Sequence, residues 1–442
     1  MAHGLELPIW TVLPFALLLL VIAILPLATP HFWEPHRNKG LVSAFFAVPV
    51  AAYLVQAHGA AGVHELLEKG KEYTSFILLL GSLFVITGGI HVRGSLSGTP
   101  LLNTALIGLG GGLASLIGTT GASVLLIRPL LRANAPRERK VHVVVFFIFV
   151  VSNCGGLLTP LGDPPLFLGF LKGVPFEWTL RLWKPWLFVN GALLLLFNLW
   201  DQAVLAREER ERPGSQLEEV QRHEPVRIEG RRNFLFLAGI VAVIYASGRG
   251  FGSGGAPWPF GVQEGLMLGL GTASFAVTSP RLRRENSFTF GPIVEVAVLF
   301  AGIFLTMAPA LLLLNAHAAS FGIREPWHFF WATGLLSSFL DNAPTYLTFA
   351  ATACGLGGIP LEGRYLADFL AGGPANGDLL AAISAGAVFM GANTYIGNGP
   401  NFMVKAIAEE RGVAMPSFLG YMVWSCGVLL PLFALVTLLA FR

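Results

Sequence analysis

The sequence predicts an all-α polytopic membrane protein made of two inverted-topology repeats. Each repeat has five transmembrane helices, one of them broken, and a re-entrant helical hairpin. Three observations carry this. The 442 residues are 54% hydrophobic and only 12% charged, whereas a soluble chain carries about a quarter charged residues. Apolar runs of spanning length recur along the whole chain. Two polar segments broken by Gly and Pro, Ser152 to Pro165 and Gly391 to Asn401, interrupt apolar sequence at matching places in the two halves. Backbone at membrane depth must hydrogen-bond internally, so an unbroken helix is the default there. Helices interrupted at corresponding positions of two halves point to a solute site.

The elements follow in order. Apolar runs fall near 8–29, 40–57, 73–91, 185–204, 233–248, 261–278, 290–314 and 417–440. Met1 to Trp10 has no Lys or Arg ahead of the first run, so that run is expected to stay as a span rather than serve as a signal peptide. The broken stretches, about 141–172 and 377–410, each supply one interrupted span, which gives ten crossings. Two more stretches, about 101–131 and 325–356, have polar kinks at their centres, Gly118-Thr119-Thr120-Gly121 and Asp341-Asn342-Ala343-Pro344. Arms of about 14 residues, roughly 20 Å of helix, fall short of the ~30 Å hydrocarbon core. Both stretches therefore read as re-entrant hairpins.

Charge placement sets the expected topology. Arg37 and Lys39, the loop Arg132 to Lys140, the linker 205–232 and Arg281 to Arg284 all fall inside under the positive-inside rule if the first hairpin enters and leaves on one side. Both termini then lie outside. The expected organisation is a first membrane repeat (1–204), a cytoplasmic linker (205–232) and a second membrane repeat (233–442). The linker has seven Arg and seven Glu and reads as a solvated tether. Weak self-similarity supports the repeat. At an offset of 235, Gly156, Gly162 and Asp163 fall on Gly391, Gly397 and Asn398. At an offset of 223, Ser115 falls on Ser338.

The candidate chemistry sits at the breaks. Asp163 and Asp341 are carboxylates where each costs ~3 kcal/mol to insert. Such groups bind cations or carry protons; they also cap half-helices, with Pro164 and Pro165, or Pro344, filling the first turn. Both roles stay open. Hard cations want oxygen ligands. The first half offers Thr119, Thr120, Ser123, Asn153, Thr159 and Asp163. The second offers Asp341, Asn342, Thr345, Asn393, Thr394, Asn398 and Asn401. Glu295 is a candidate proton carrier or gate beside Asp163 and Asp341, or an interfacial acid. Glu264 reads as interfacial, and Lys172 and Lys405 as lysines snorkelling to the surface. Cys154, Cys354 and Cys426 are too scattered for a disulfide framework or a zinc cluster. No paired His, nucleophile–base constellation or phosphate loop suggests an enzyme or a cofactor.

The order hairpin, broken helix, span, repeated with inverted topology, is similar to the ion transporter superfamily. That group holds cation-coupled di- and tricarboxylate carriers, arsenite efflux pumps and NhaD-type sodium–proton antiporters. Asn153 to Asp163 and Leu340-Asp341-Asn342-Ala343-Pro344 resemble the NhaD and arsenite-pump branch in particular, and the chain also resembles sequences grouped as citrate transporters. The resemblance implies a homodimer in a bacterial-type inner membrane, with a fixed scaffold and a moving transport part. It implies sodium sites between each hairpin tip and its broken helix, Thr119 to Ser123 with Asn153 to Thr159 and Asp341 to Thr345 with Asn393 to Asn398, and so a Na⁺ site near Asp341 and Asn393. The hairpin tips here lack the Ser-Asn-Thr triplet of the carboxylate carriers.

Side-chain charge favours a cation as the solute. At an effective dielectric of ~20, like charges 4 Å apart repel by ~4 kcal/mol, and no Arg lies within the breaks to clamp a carboxylate. The expectation is therefore sodium–proton antiport by alternating access, with Na⁺ and H⁺ as the ions. The alternatives are cation-coupled transport of citrate or another small carboxylate, and oxyanion (arsenite) efflux. The expected partners are a monovalent cation, the lipid bilayer and a second copy of the chain, with no nucleic acid.

Overall fold

The computed structural model describes residues 7–95, 97–211, 224–256 and 258–442. Among them, eight helices are at least 18 residues long and apolar enough to cross a membrane. The chain is an all-α polytopic membrane protein.

The first half opens with α1 (Leu13–Ala28), the short α2 (Pro30–Trp33) and α3 (His36–Thr87). Two expected spans, 40–57 and 73–91, belong to α3, which folds over at Gly59 (φ 55°, ψ −124°). Only glycine adopts that backbone without strain. The fold-over is tight: a Cβ on Gly62 would lie 2.0 Å from the Leu54 carbonyl oxygen. Next come β1 (His91–Ser95), α4 (Pro100–Ile117), α5 (Thr119–Ala133), α6 (Val141–Val150), α7 (Pro164–Leu171) and α8 (Trp183–Glu211).

After β2 (Glu224–Glu229), the second half runs α9 (Asn233–Gly248), α10 (Val262–Val277), α11 (Pro280–Glu285) and α12 (Gly291–Ala316). It continues with α13 (Pro326–Ser337), α14 (Asn342–Leu356), α15 (Tyr365–Ala371), α16 (Pro374–Met390), α17 (Gly399–Glu410) and α18 (Phe418–Ala440).

The broken spans lie at the centre. A helix that is apolar all round is a buried one, and α6 (VHVVVFFIFV) is buried from His142 to Val150. Its counterpart α16 is buried continuously from Leu380 to Met390. By contrast α8, α9 and α18 turn Leu195, Leu235 and Val423 outward, as a face against lipid does.

Several expectations need correcting. The first arm of the 101–131 stretch is 18 residues, about 27 Å of helix, so length alone does not make it re-entrant. The linker is not a free tether: its start continues α8, where Glu208 is buried, and its end forms β2, which pairs antiparallel with β1 (His91 opposite Glu229). The middle of the linker, 212–223, lies outside the described residues. Arg137 is not a free loop charge. It is fully buried with Asp201 and Glu208, and this network fastens the α5–α6 loop to α8. Glu264 is buried rather than interfacial. It accepts hydrogen bonds from the Ser75 hydroxyl and from the Gly261 amide, joining α3 to the start of α10.

Candidate ion and solute site

Four half-helices begin at the breaks, and their N-termini meet. Asp163 is the N-cap residue of α7, Asn398 that of α17, Thr119 the first residue of α5 and Asn342 the first of α14. Thr119 Oγ1 donates to Asp163 Oδ1 at 2.9 Å, Asn398 Nδ2 donates to the same oxygen at 3.1 Å, and Asn342 Nδ2 donates to Asp163 Oδ2. One buried carboxylate therefore ties the starts of α5, α14 and α17 to that of α7. Among the described residues, no Lys, Arg or His lies within ion-pair distance of it. Proline occupies the first turn of α7, α14 and α17 (Pro164, Pro165, Pro344, Pro400), where a missing amide N–H costs nothing.

The two breaks share one backbone geometry. Asp163 (φ −146°, ψ 145°) and Asn398 (φ −153°, ψ 140°) are alike, as are Thr159 (φ −140°, ψ 159°) and Thr394 (φ −137°, ψ 168°). Thr159 Oγ1 donates to the Ser115 carbonyl and accepts from the Leu161 amide at 3.1 Å. Thr394 Oγ1 donates to the Ser338 carbonyl and accepts from the Ile396 amide at 3.1 Å. In both, the chain doubles back on itself. A Cβ on Gly162 would meet the Gly156 carbonyl oxygen at 2.0 Å, and one on Gly397 the Gly391 oxygen at 2.6 Å.

The carbonyls exposed by the breaks are mostly satisfied by side chains. Ser115 Oγ and Trp186 Nε1 donate to Gly155, Asn190 Nδ2 to Cys154, Asn401 Nδ2 to Gly391 and Thr394, and Ser425 Oγ to Asn393. Among the described residues, four amide oxygens around the breaks stay unpaired although buried: Asn153 Oδ1, Asn190 Oδ1, Asn342 Oδ1 and Asn393 Oδ1. A buried polar atom without a partner costs ~1–3 kcal/mol. Oxygen is also the donor that a hard cation prefers, which makes these oxygens candidate cation ligands. Asn153 Nδ2 donates to Asn401 Oδ1 at 2.8 Å, a direct link between the two broken spans.

The remaining candidates are placed as follows. Thr120 lines a cavity of about 80 Å³ together with Gly121, Asp163, Leu80, Phe84 and Ile293. Ser123 bonds Ser152 hydroxyl to hydroxyl at 2.8 Å, beside the crossing but not on Asp163. Asp341 is half-buried and caps α14, accepting from the Ala343 amide at 3.0 Å, while Thr345 Oγ1 donates to the Asp341 carbonyl at 2.8 Å. Asn393 Nδ2 donates to Ser338 Oγ at 2.8 Å. Glu295 is apart from this group, in an ion pair with buried Lys39 at 2.8 Å. Lys405 pairs with Glu409 near the surface, but Lys172 is buried on Glu72 rather than snorkelling. Sequence reasoning missed Ser115, Ser338 and Asn190 as parts of the site. The correspondence of Ser115 with Ser338 was the signal that could have found the two serines.

The fold and this crossing of broken helices define a polytopic membrane transport protein. A family model described as "Putative citrate transport" matches residues 4–441, so the chain belongs to that family. No curated protein matches the chain.

Proposed function

We propose that the protein is a secondary transporter that carries citrate or a related small carboxylate, coupled to a monovalent cation, by alternating access. The observation that supports this most is the meeting of four half-helix N-termini on one carboxylate. Each N-terminus carries roughly half a positive charge, and a single Asp163 does not match four of them. Helix N-termini suit anionic solutes at a transporter's midplane. The opposing carbonyl ends are covered by hydroxyl and amide donors, so the weighing by side-chain charge alone understates how well an anion fits. The unpaired oxygens of Asn153, Asn342 and Asn393 would take the cation, and Thr120 and Gly121 would face the solute.

On this reading the matched breaks belong to two inverted repeats, 1–204 and 233–442, joined by the segment 205–232. The hairpins 101–131 and 325–356 are re-entrant, both termini lie outside, and the chain works as a homodimer in a bacterial-type inner membrane. Labelled citrate uptake into proteoliposomes, with Na⁺ and proton gradients imposed separately, tests the proposal. Uptake driven by one gradient and saturating with citrate supports it; no uptake under either gradient overturns it.

One observation favours a second reading, sodium–proton antiport: Asp163 is a buried acid with no cationic side chain beside it, as a site exchanging Na⁺ for H⁺ requires. Proton flux on adding Na⁺ to citrate-free vesicles separates the two.

A further inference from the structure

We infer that Lys172 and Glu72 form a latch that closes one side of the solute cavity. The two residues lie outside the crossing of broken helices. Lys172 caps the C-terminal end of α7, whose other end is Asp163, and Glu72 lies in the second arm of α3. Lys172 Nζ donates to Glu72 Oε1, and Lys69 Nζ contacts both oxygens of the same carboxylate at 3.3 Å. The side chains of Lys69, Lys172 and Glu72 are 8%, 9% and 13% exposed, so the pair is largely shielded from water. Lys172 Nζ also lies 5.3 Å from the ring centre of Tyr365 in α15, whose buried hydroxyl has no partner.

The placement carries the inference. α3 and α7 run side by side in opposite directions. At one end Glu72 meets Lys172. Two turns along, Leu79, Leu80, Leu83 and Phe84 of α3 and Asp163, Pro164 and Phe167 of α7 both line the cavity, which α12 also borders through Ile293 and Val296. α3 and α7 are thus two of the walls of the cavity, and the ion pair ties these two walls together beyond the cavity, at the Lys172 end. Removing Glu72 leaves Lys172 dehydrated and without its carboxylate, and removing Lys172 leaves Glu72 held only by Lys69 of its own arm; either change breaks the tie between α3 and α7, so water enters and the seam parts. Separation of Lys172 from Glu72 is the step that opens the cavity to that side of the membrane.

The inference rests on the carrier reading but not on the solute, because its test needs none. Leu80 on the α3 wall is replaced (Leu80→Cys) in full-length protein carrying Cys426→Ser. Labelling by a membrane-impermeant maleimide is then timed from each face in vesicles of both orientations. Glu72→Gln and Lys172→Gln should each raise labelling from the Lys172 face about tenfold. The reversal Glu72→Lys with Lys172→Glu, made together with Lys69→Gln to spare the new lysine a like charge, should return it to the parental rate. Unchanged labelling in the single variants overturns the latch, and so does a reversal that keeps the raised rate. If Glu72→Gln does not reach the membrane, Lys172→Arg is compared with Lys172→Gln. Parental labelling in the first and faster labelling in the second supports the latch, and equal rates overturn it.

Discussion

Two aspartates sit at breaks in this chain, and their surroundings differ. Asp163 is enclosed by three side-chain donors from three other half-helices, whereas Asp341 holds only the amide of Ala343. Asp163→Asn would set an amide against donors from Asn342 and Asn398 and remove the charge on which four helices converge. It should lower unfolding stability in detergent by about 2 kcal/mol or more, the cost of buried unsatisfied donors. Asp341→Asn keeps an equally good cap and should change stability by less than about 0.5 kcal/mol. Thermal unfolding of the two variants measures the contrast; equal losses would contradict it. Both acids are legible in the sequence, because a carboxylate inside apolar sequence is conspicuous. Their ranking is not, because it depends on Asn342 and Asn398, which lie 179 and 235 residues from Asp163. Lys172 reads as a surface lysine for the same reason, since its partner Glu72 lies 100 residues upstream.

At the scale of the element, glycine decides how each broken helix doubles back. Gly162→Ala and Gly397→Ala would press a methyl into a carbonyl across the turn, at 2.0 and 2.6 Å before any relaxation. Overpacking of that kind costs ~1–3 kcal/mol, with Gly162 the worse of the two. Gly269, in the middle of α10, has open space around it. Gly269→Ala should stabilise by up to about 1 kcal/mol through helix propensity. Melting temperatures of the three variants check the order Gly162, Gly397, Gly269, from most to least damaging. The broken spans are readable because Gly and Pro clustered inside an apolar run weaken and interrupt a helix where the bilayer demands one. The fold-over of α3 at Gly59 is not, because Gly59, Gly62 and Gly70 between two spans look like ordinary loop residues. Strand β2 was hidden because the charges around it read as solvated linker.

For the whole molecule, buried ion pairs fasten parts that the apolar core alone does not align. Arg137→Ala leaves Asp201 and Glu208 buried without their guanidinium and should cost about 3 kcal/mol. Arg281→Ala removes only a pair at the surface, with Glu285, and should cost under about 1 kcal/mol. Denaturation in matched detergent compares them; similar losses would mean that the Arg137 network does not bind the α5–α6 loop to α8. On the proposed function, the meeting of four helix ends on Asp163 makes one joint site for a cation and a carboxylate. Its most direct test is citrate binding to purified protein, followed by tryptophan fluorescence with and without Na⁺. Na⁺ should tighten citrate binding at least about tenfold in the parent, and Asp163→Asn should abolish this coupling. Citrate affinity that is indifferent to Na⁺ and unchanged in a folded Asp163→Asn protein would contradict it.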